Sequence, residues 1–124
     1  MTLAKLASRW SKSIARAAQT YQDHELDLSQ YKVELHNASW CPDCEREVSD
    51  LLGLQQANTL KFAAIELHSY ENKASYQQQK QTNSLPIKCL PTIIFYRADT
   101  LVLTVEENSH GGIGASLSAL PNNC

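Results

Sequence analysis

The chain has 124 residues, 43% of them hydrophobic, with four cysteines and a formal net charge of −2. That length suits one domain over residues 1–124 with a single modest core. A near-neutral chain without clustered cations offers nucleic acid no electrostatic footprint, and four glycines and four prolines are too few for a low-complexity segment.

Leu3, Leu6, Trp10, Ile14, Ala17 and Tyr21 recur at spacings of three and four, which predicts one amphipathic N-terminal helix within residues 1–22. Lys5, Arg9, Lys12 and Arg16 interrupt it, so it is neither a secretory h-region nor a membrane span, and no membrane partner is expected. The chain has no acidic residue before Asp23. An organellar transit peptide is therefore the alternative to a surface helix of a cytoplasmic protein. A polar connection follows, and Tyr31 to His36 reads as a strand. Asn37 to Ser39 form a loop. Pro42 suits the first turn of a helix, where its missing N–H costs nothing. Val48, Leu51, Leu52 and Leu54 give that helix an apolar face. Gly53 inside it marks either an early end or a close packing contact.

Leu60 to Leu67 reads as a second strand and the Gln-rich stretch Glu71 to Gln81 as a solvated helix. Pro86 and Pro91 bracket an extended segment. Thr92 to Tyr96 is a β-branched and aromatic strand, Arg97 to Thr100 a turn, and Leu101 to Val105 a strand pairing back as a hairpin. Gly111 and Gly112 break the chain before a last helix over Ile113 to Leu120. The order α, β, α, β, α, β, β, α predicts a mixed α/β arrangement on one sheet.

Cys41 and Cys44 lie three residues apart, while Cys89 and Cys124 stand alone. In a reducing compartment this is a redox or metal pattern rather than a structural framework. Cys41 falls just before the helix, where free N–H groups and the helix dipole favour an anion, and the thiolate is the nucleophile. Cys44 follows one turn on and is expected to be more buried. Cys41 would attack a substrate disulfide and Cys44 would resolve the mixed disulfide, leaving a redox-active Cys41–Cys44 disulfide. Between them, Pro42 stiffens the helix entry and Asp43 places a negative charge near the thiolate, which favours a reductant over a strong oxidant. A C-x-x-C pair is also half of a zinc knuckle. Neither it nor an H-x-x-x-H spacing recurs, and His24, His36, His68 and His110 show no ligand spacing. No metal ligand set is expected, and a metal-binding protein is the third reading.

The segment Lys88-Cys89-Leu90-Pro91-Thr92-Ile93-Ile94-Phe95 sharpens the case, since a proline opening a buried strand is unusual. Here the chain resembles the thioredoxin family, in which W-C-x-x-C opens the active-site helix and a cis-proline followed by Thr opens the third central strand. Trp40 and Pro91 match those positions, and the resemblance covers residues 31–105 in order and pattern. The string Trp40-Cys41-Pro42-Asp43-Cys44 also looks like the thioredoxin-related proteins. The resemblance implies a thioredoxin fold: a central mixed sheet of about four strands flanked by helices, here with an extra N-terminal helix. It implies that Leu90, Pro91 and Thr92 bind substrate and that Trp40 flanks the site. A disulfide-containing protein or small molecule would be the substrate, thioredoxin reductase or glutathione the electron donor, and no bound cofactor is needed.

Several positions depart from the family. Leu35 stands where thioredoxins have a buried Asp six residues before the first cysteine, and Ser49 where the helix has a proline. Glu34 is the candidate replacement acid, although alternation points it to the opposite face of its strand. The loop Glu106 to His110, expected to border the site, is polar and acidic. Cys89, two residues before Pro91, is an accessory thiol or a small packed residue. These departures keep open a second reading, a thioredoxin-fold binding module with incidental redox activity.

Overall fold

A computed structural model describes residues 1–23 and 25–120; His24 and Cys124 lie outside the described residues. Two helices open the chain where one was expected: α1 (Leu3–Arg9) and α2 (Ser11–Thr20), with Trp10 between them at φ −107° and ψ 26°. Leu6, Trp10, Ile14 and Ala18 are all buried. Steps of four overshoot a 3.6-residue turn by about 40° each. Such a stripe winds around a straight helix, and the bend at Trp10 returns both halves to the core. Ala17, expected on the stripe, is only half-buried, and Ala18 takes its place.

The strands are β1 (Tyr31–Asn37), β2 (Ala64–Ser69), β3 (Thr92–Arg97) and β4 (Thr100–Glu106), in the order β2-β1-β3-β4. β2 runs parallel to β1, whereas β3 is antiparallel to β1 and β4 to β3. A parallel pair needs a crossover, which α3 (Pro42–Ala57) supplies. α4 (Lys73–Gln81) lies between β2 and β3 in the chain, and α5 (Ile113–Ser118) follows β4. This strand order, with these directions and connections, is a thioredoxin fold with α1 and α2 added in front.

The second strand begins later than Leu60. Residues 60–63 close the end of α3 instead. Lys61 Nζ donates to the carbonyls of Gln55 and Asn58 at 2.7 and 2.6 Å, and the Phe62 N–H donates to Gln55 Oε1. Phe62 is buried against Phe95, with ring centroids 6.1 Å apart. The apolar run is thus a plug at a helix end. The true strand β2 lies at the sheet edge with no residue fully buried, and only its alternate residues Ile65 and Leu67 pack against the core. α4 begins at Lys73, not Glu71, because Asn72 Oδ1 accepts the Ser75 N–H and caps it. α5 ends at Ser118, two residues short of Leu120.

α2 packs on α3 through Gly53. A Cβ there would sit 2.4 Å from Ala17 Cβ and 2.7 Å from Ala18 N. The close packing contact is the correct reading of this glycine, and α3 continues through it to Ala57. α5 is tied to the same layer by Asp50 Oδ2, which accepts the Tyr21 hydroxyl at 2.8 Å and the Ile113 N–H at 2.7 Å. Among the described residues, no helix is long and apolar enough to cross a membrane.

Candidate active site

Cys41 ends the loop after β1 and is the N-cap of α3, with Pro42 in the first turn. Its Sγ accepts the Cys44 N–H at 3.4 Å and donates toward the Leu90 carbonyl at 3.9 Å. One sulfur therefore sees both a free helix N–H and the backbone of the Pro91 loop. The Leu90–Pro91 bond is cis. Cys41 is 8% exposed and Cys44 0%, and both are thiols. Burial pushes the Cys44 thiol well above its ordinary range. A backbone contact with Ala38 opposes that shift, and the neighbouring Cys41 and Asp43 add to it.

The flanking residues are held by specific bonds. The Trp40 indole N–H donates to the Tyr70 carbonyl at 2.9 Å, and Lys73 Nζ lies 5.4 Å from the Trp40 ring centre. Asp43 accepts from Arg46 Nη1 at 2.8 Å. Thr92 is buried, and its hydroxyl donates to the Cys89 carbonyl at 2.8 Å, closing the turn before β3. Cys89 is half-buried. Burial pushes its thiol up, the Thr92 hydroxyl opposes this, and Glu106 and Glu107 push it further. The acidic loop after β4 thus lies within electrostatic reach of Cys89.

Glu34 is not brought to the dithiol. Its Oε2 lies 2.7 Å from His36 Nε2, on the side of β1 opposite to Leu35. Leu35 is fully buried and supplies no carboxylate. Glu34 is therefore corrected as a replacement acid: the strand keeps its alternation, with no shift of one residue to turn the side chain inward.

Two site residues escaped the sequence reading. Tyr76, on the face of α4 taken as solvated, is buried. Its hydroxyl is pushed up first by burial and then by the charges of Cys89, Cys41 and Cys44, and its ring lies 5.6 Å from that of Trp40. The one aromatic among the Gln and Lys residues of this helix was the available signal. Arg46 is the second. Beyond Asp43 it donates from Nε to Glu47 at 2.9 Å and from Nη2 to the Glu107 carbonyl at 3.0 Å. Glu107 in turn donates its N–H to the Pro91 carbonyl at 2.8 Å. Arg46 thereby links the active-site helix to the proline loop, through a backbone carbonyl that no side-chain pattern reveals.

No family model and no curated protein matches the chain. Among solved structures, a protein of unknown function from Pseudomonas aeruginosa is 17% identical with a TM-score of 0.52, covering 94% of this chain and 77% of that one. An HIV epitope-scaffold is 18% identical with a TM-score of 0.52, covering 88% and 73%. Thioredoxin f2 of Chlamydomonas reinhardtii is 22% identical over 66% of this chain and 81% of its own, at a TM-score of 0.39. At these identities the likeness extends to the fold alone.

Proposed function

We propose that the chain is a thiol–disulfide oxidoreductase acting mainly as a disulfide reductase through Cys41 and Cys44. The observation that carries this reading is the position of Cys41 Sγ between the Cys44 N–H at 3.4 Å and the Leu90 carbonyl at 3.9 Å. A helix N-terminus favours the thiolate, and the adjacent backbone of Leu90 offers hydrogen-bonding groups to an extended substrate beside the attacking sulfur. Cys41 attacks one sulfur of a substrate disulfide and expels the other as a thiolate. Cys44 gives up its proton, which the departing thiolate takes, and attacks Cys41 Sγ. The second substrate thiol leaves, and the two electrons have passed from the dithiol to the substrate. Thioredoxin reductase or glutathione would return them, and a reducing cytoplasmic setting suits that cycle.

The assay is reduction of insulin or of a small aromatic disulfide by the full chain. Cys41→Ser is expected to abolish turnover, and Cys44→Ser to hold a mixed disulfide at Cys41. Wild-type protein with no thiol-dependent turnover would sink the enzyme reading. A second reading, a binding module that presents the same face to one partner, draws on Leu35: no buried carboxylate stands there to take the Cys44 proton. Under it, Cys44→Ser traps nothing while a partner still associates with Cys41→Ser.

A further inference from the structure

The tripeptide Glu-Leu-His occurs twice, as Glu34-Leu35-His36 on β1 and as Glu66-Leu67-His68 on β2. The strands are parallel, and their register pairs Glu34 with Glu66 and His36 with His68. Period-two alternation puts all four polar side chains on one face of the sheet. The two imidazoles are stacked, with centroids 4.6 Å apart. One ligand atom each from Glu34, His36 and His68 lies within 4.8 Å of the other two. Glu66 Oε1 is 3.1 Å from His68 Nε2, outside that cluster of three but next to one of its members.

From this convergence we infer a divalent cation site of the zinc class on the outer face of the sheet, with Glu34, His36 and His68 as ligands and Glu66 completing the set. Two imidazoles with carboxylates suit zinc and its borderline neighbours rather than calcium or magnesium. Bonds of about 2.0–2.2 Å place donors on one tetrahedral ion roughly 3.4 Å apart. Reaching that spacing requires His68 to turn out of its stack on His36, so that the lone pairs of both rings meet at one point. Glu66 is 71% exposed and His68 40%, so both are free to turn. His36 is the fixed member, 3% exposed.

Tyr70 makes His36 competent in either tautomer. Its hydroxyl oxygen lies 2.8 Å from His36 Nδ1. Without an ion, the hydroxyl donates to Nδ1 while Nε2–H donates to Glu34. With an ion at Nε2, the ring proton sits on Nδ1 and donates to the same oxygen. A ligating histidine held through its other nitrogen in this way is the usual support of a metal site. A depression of about 270 Å³, lined by Lys32, Val33, Glu34, Ala64, Glu66, Tyr96 and Asp99, lies against the two carboxylates, and His68 is 40% exposed. The site joins the edge strand to its central neighbour and contains no cysteine. Spacing along the chain hides it, because register across two strands assembles it.

The test titrates Zn²⁺ into the full-length Cys41→Ser/Cys44→Ser protein against a chromophoric chelator, with imidazole NMR signals followed in parallel. One equivalent is expected to bind and to shift the His36 and His68 resonances together. His68→Ala and Glu34→Gln, at positions exposed enough to tolerate change, should each weaken binding at least about tenfold, and Tyr70→Phe should weaken it about tenfold through the tautomer. Circular dichroism confirms that each variant is folded. The inference is overturned if the Cys41→Ser/Cys44→Ser protein binds no zinc, or if His68→Ala and Glu34→Gln leave binding unchanged. Mg²⁺ or Ca²⁺ competing at equal concentration would overturn the assignment to the zinc class.

Discussion

Cys44 lies directly behind Cys41 in α3, fully buried, with its backbone N–H donated to the Cys41 sulfur at 3.4 Å. Burial holds the Cys44 thiol up, and Cys41 keeps 8% exposure where Cys44 has none. Alkylation with iodoacetamide near neutral pH should label Cys41 well before Cys44, by roughly tenfold or more in rate, because the thiolate is the reacting species. Cys44 should react only once the chain is unfolded. Peptide mass spectrometry over a time course reads this directly, and equal labelling of the two would contradict the division of roles.

The α2–α3 contact at Gly53 gives a second expectation. Alanine is the better helix former by about 1 kcal/mol. At this position its Cβ would meet Ala17 Cβ at 2.4 Å and backbone atoms of Ala17 and Ala18 below 3.0 Å. Backbone cannot rotate away, so the helices must separate, and overpacking of this kind costs about 1–3 kcal/mol. Gly53→Ala should therefore lower the urea midpoint, although propensity alone predicts a rise.

Asp50 supplies a pH dependence with a definite sign. Burial raises its carboxyl above the ordinary aspartate value, against the opposing bonds from the Ile113 N–H and the Tyr21 hydroxyl, and Glu47 adds to the rise. The folded protein then binds this proton more tightly than the unfolded chain does. Its contribution to stability is full below the unfolded value of about 3.9 and is lost as pH rises through the folded value. Asp50→Asn should flatten that slope in urea midpoints measured across the acidic range. Tyr21→Phe removes one bond to the carboxylate and should steepen it, while costing about 1.5–3 kcal/mol at neutral pH as the loss of a hydrogen bond to a charged group.

Where a residue's role depends on its near neighbours in the chain, the sequence was readable. The Cys41 and Cys44 positions follow from Pro42 and one helical turn, and β3 follows from its β-branched run. The order of helices and strands from β1 onward followed too, since each has its own period. Contacts across the fold were less readable. The bend at Trp10 depends on the surface α1 and α2 must cover. Phe62 looks like a strand residue because burial at a helix end and burial in a sheet select the same side chains. Glu34, His36, Glu66 and His68 carry no spacing signal, because their meeting is fixed by strand register. Glu-Leu-His stands twice in the chain, but its meaning requires knowing that the two strands are neighbours.

Arg46 and Glu47 bring the site and the stability of the fold together. Glu47 is 3% exposed, and its carboxylate accepts from Arg46 Nε at 2.9 Å. Removing a partner from a buried charge costs more than the pair contributes, because the remaining charge stays desolvated. Arg46→Met should destabilise the protein by about 2–3 kcal/mol, and Glu47→Gln in that background should recover much of the loss. Double-mutant analysis of urea midpoints should then give a coupling above about 1 kcal/mol. The bond from Arg46 Nη2 to the Glu107 carbonyl predicts a separate effect. Arg46→Met should loosen the loop that holds the Pro91 carbonyl and lower disulfide reductase activity, whereas Glu47→Gln restores stability without that bond. A double variant as stable as wild type but still slow would assign Arg46 to positioning the proline loop; full recovery of activity would reduce it to a stability role.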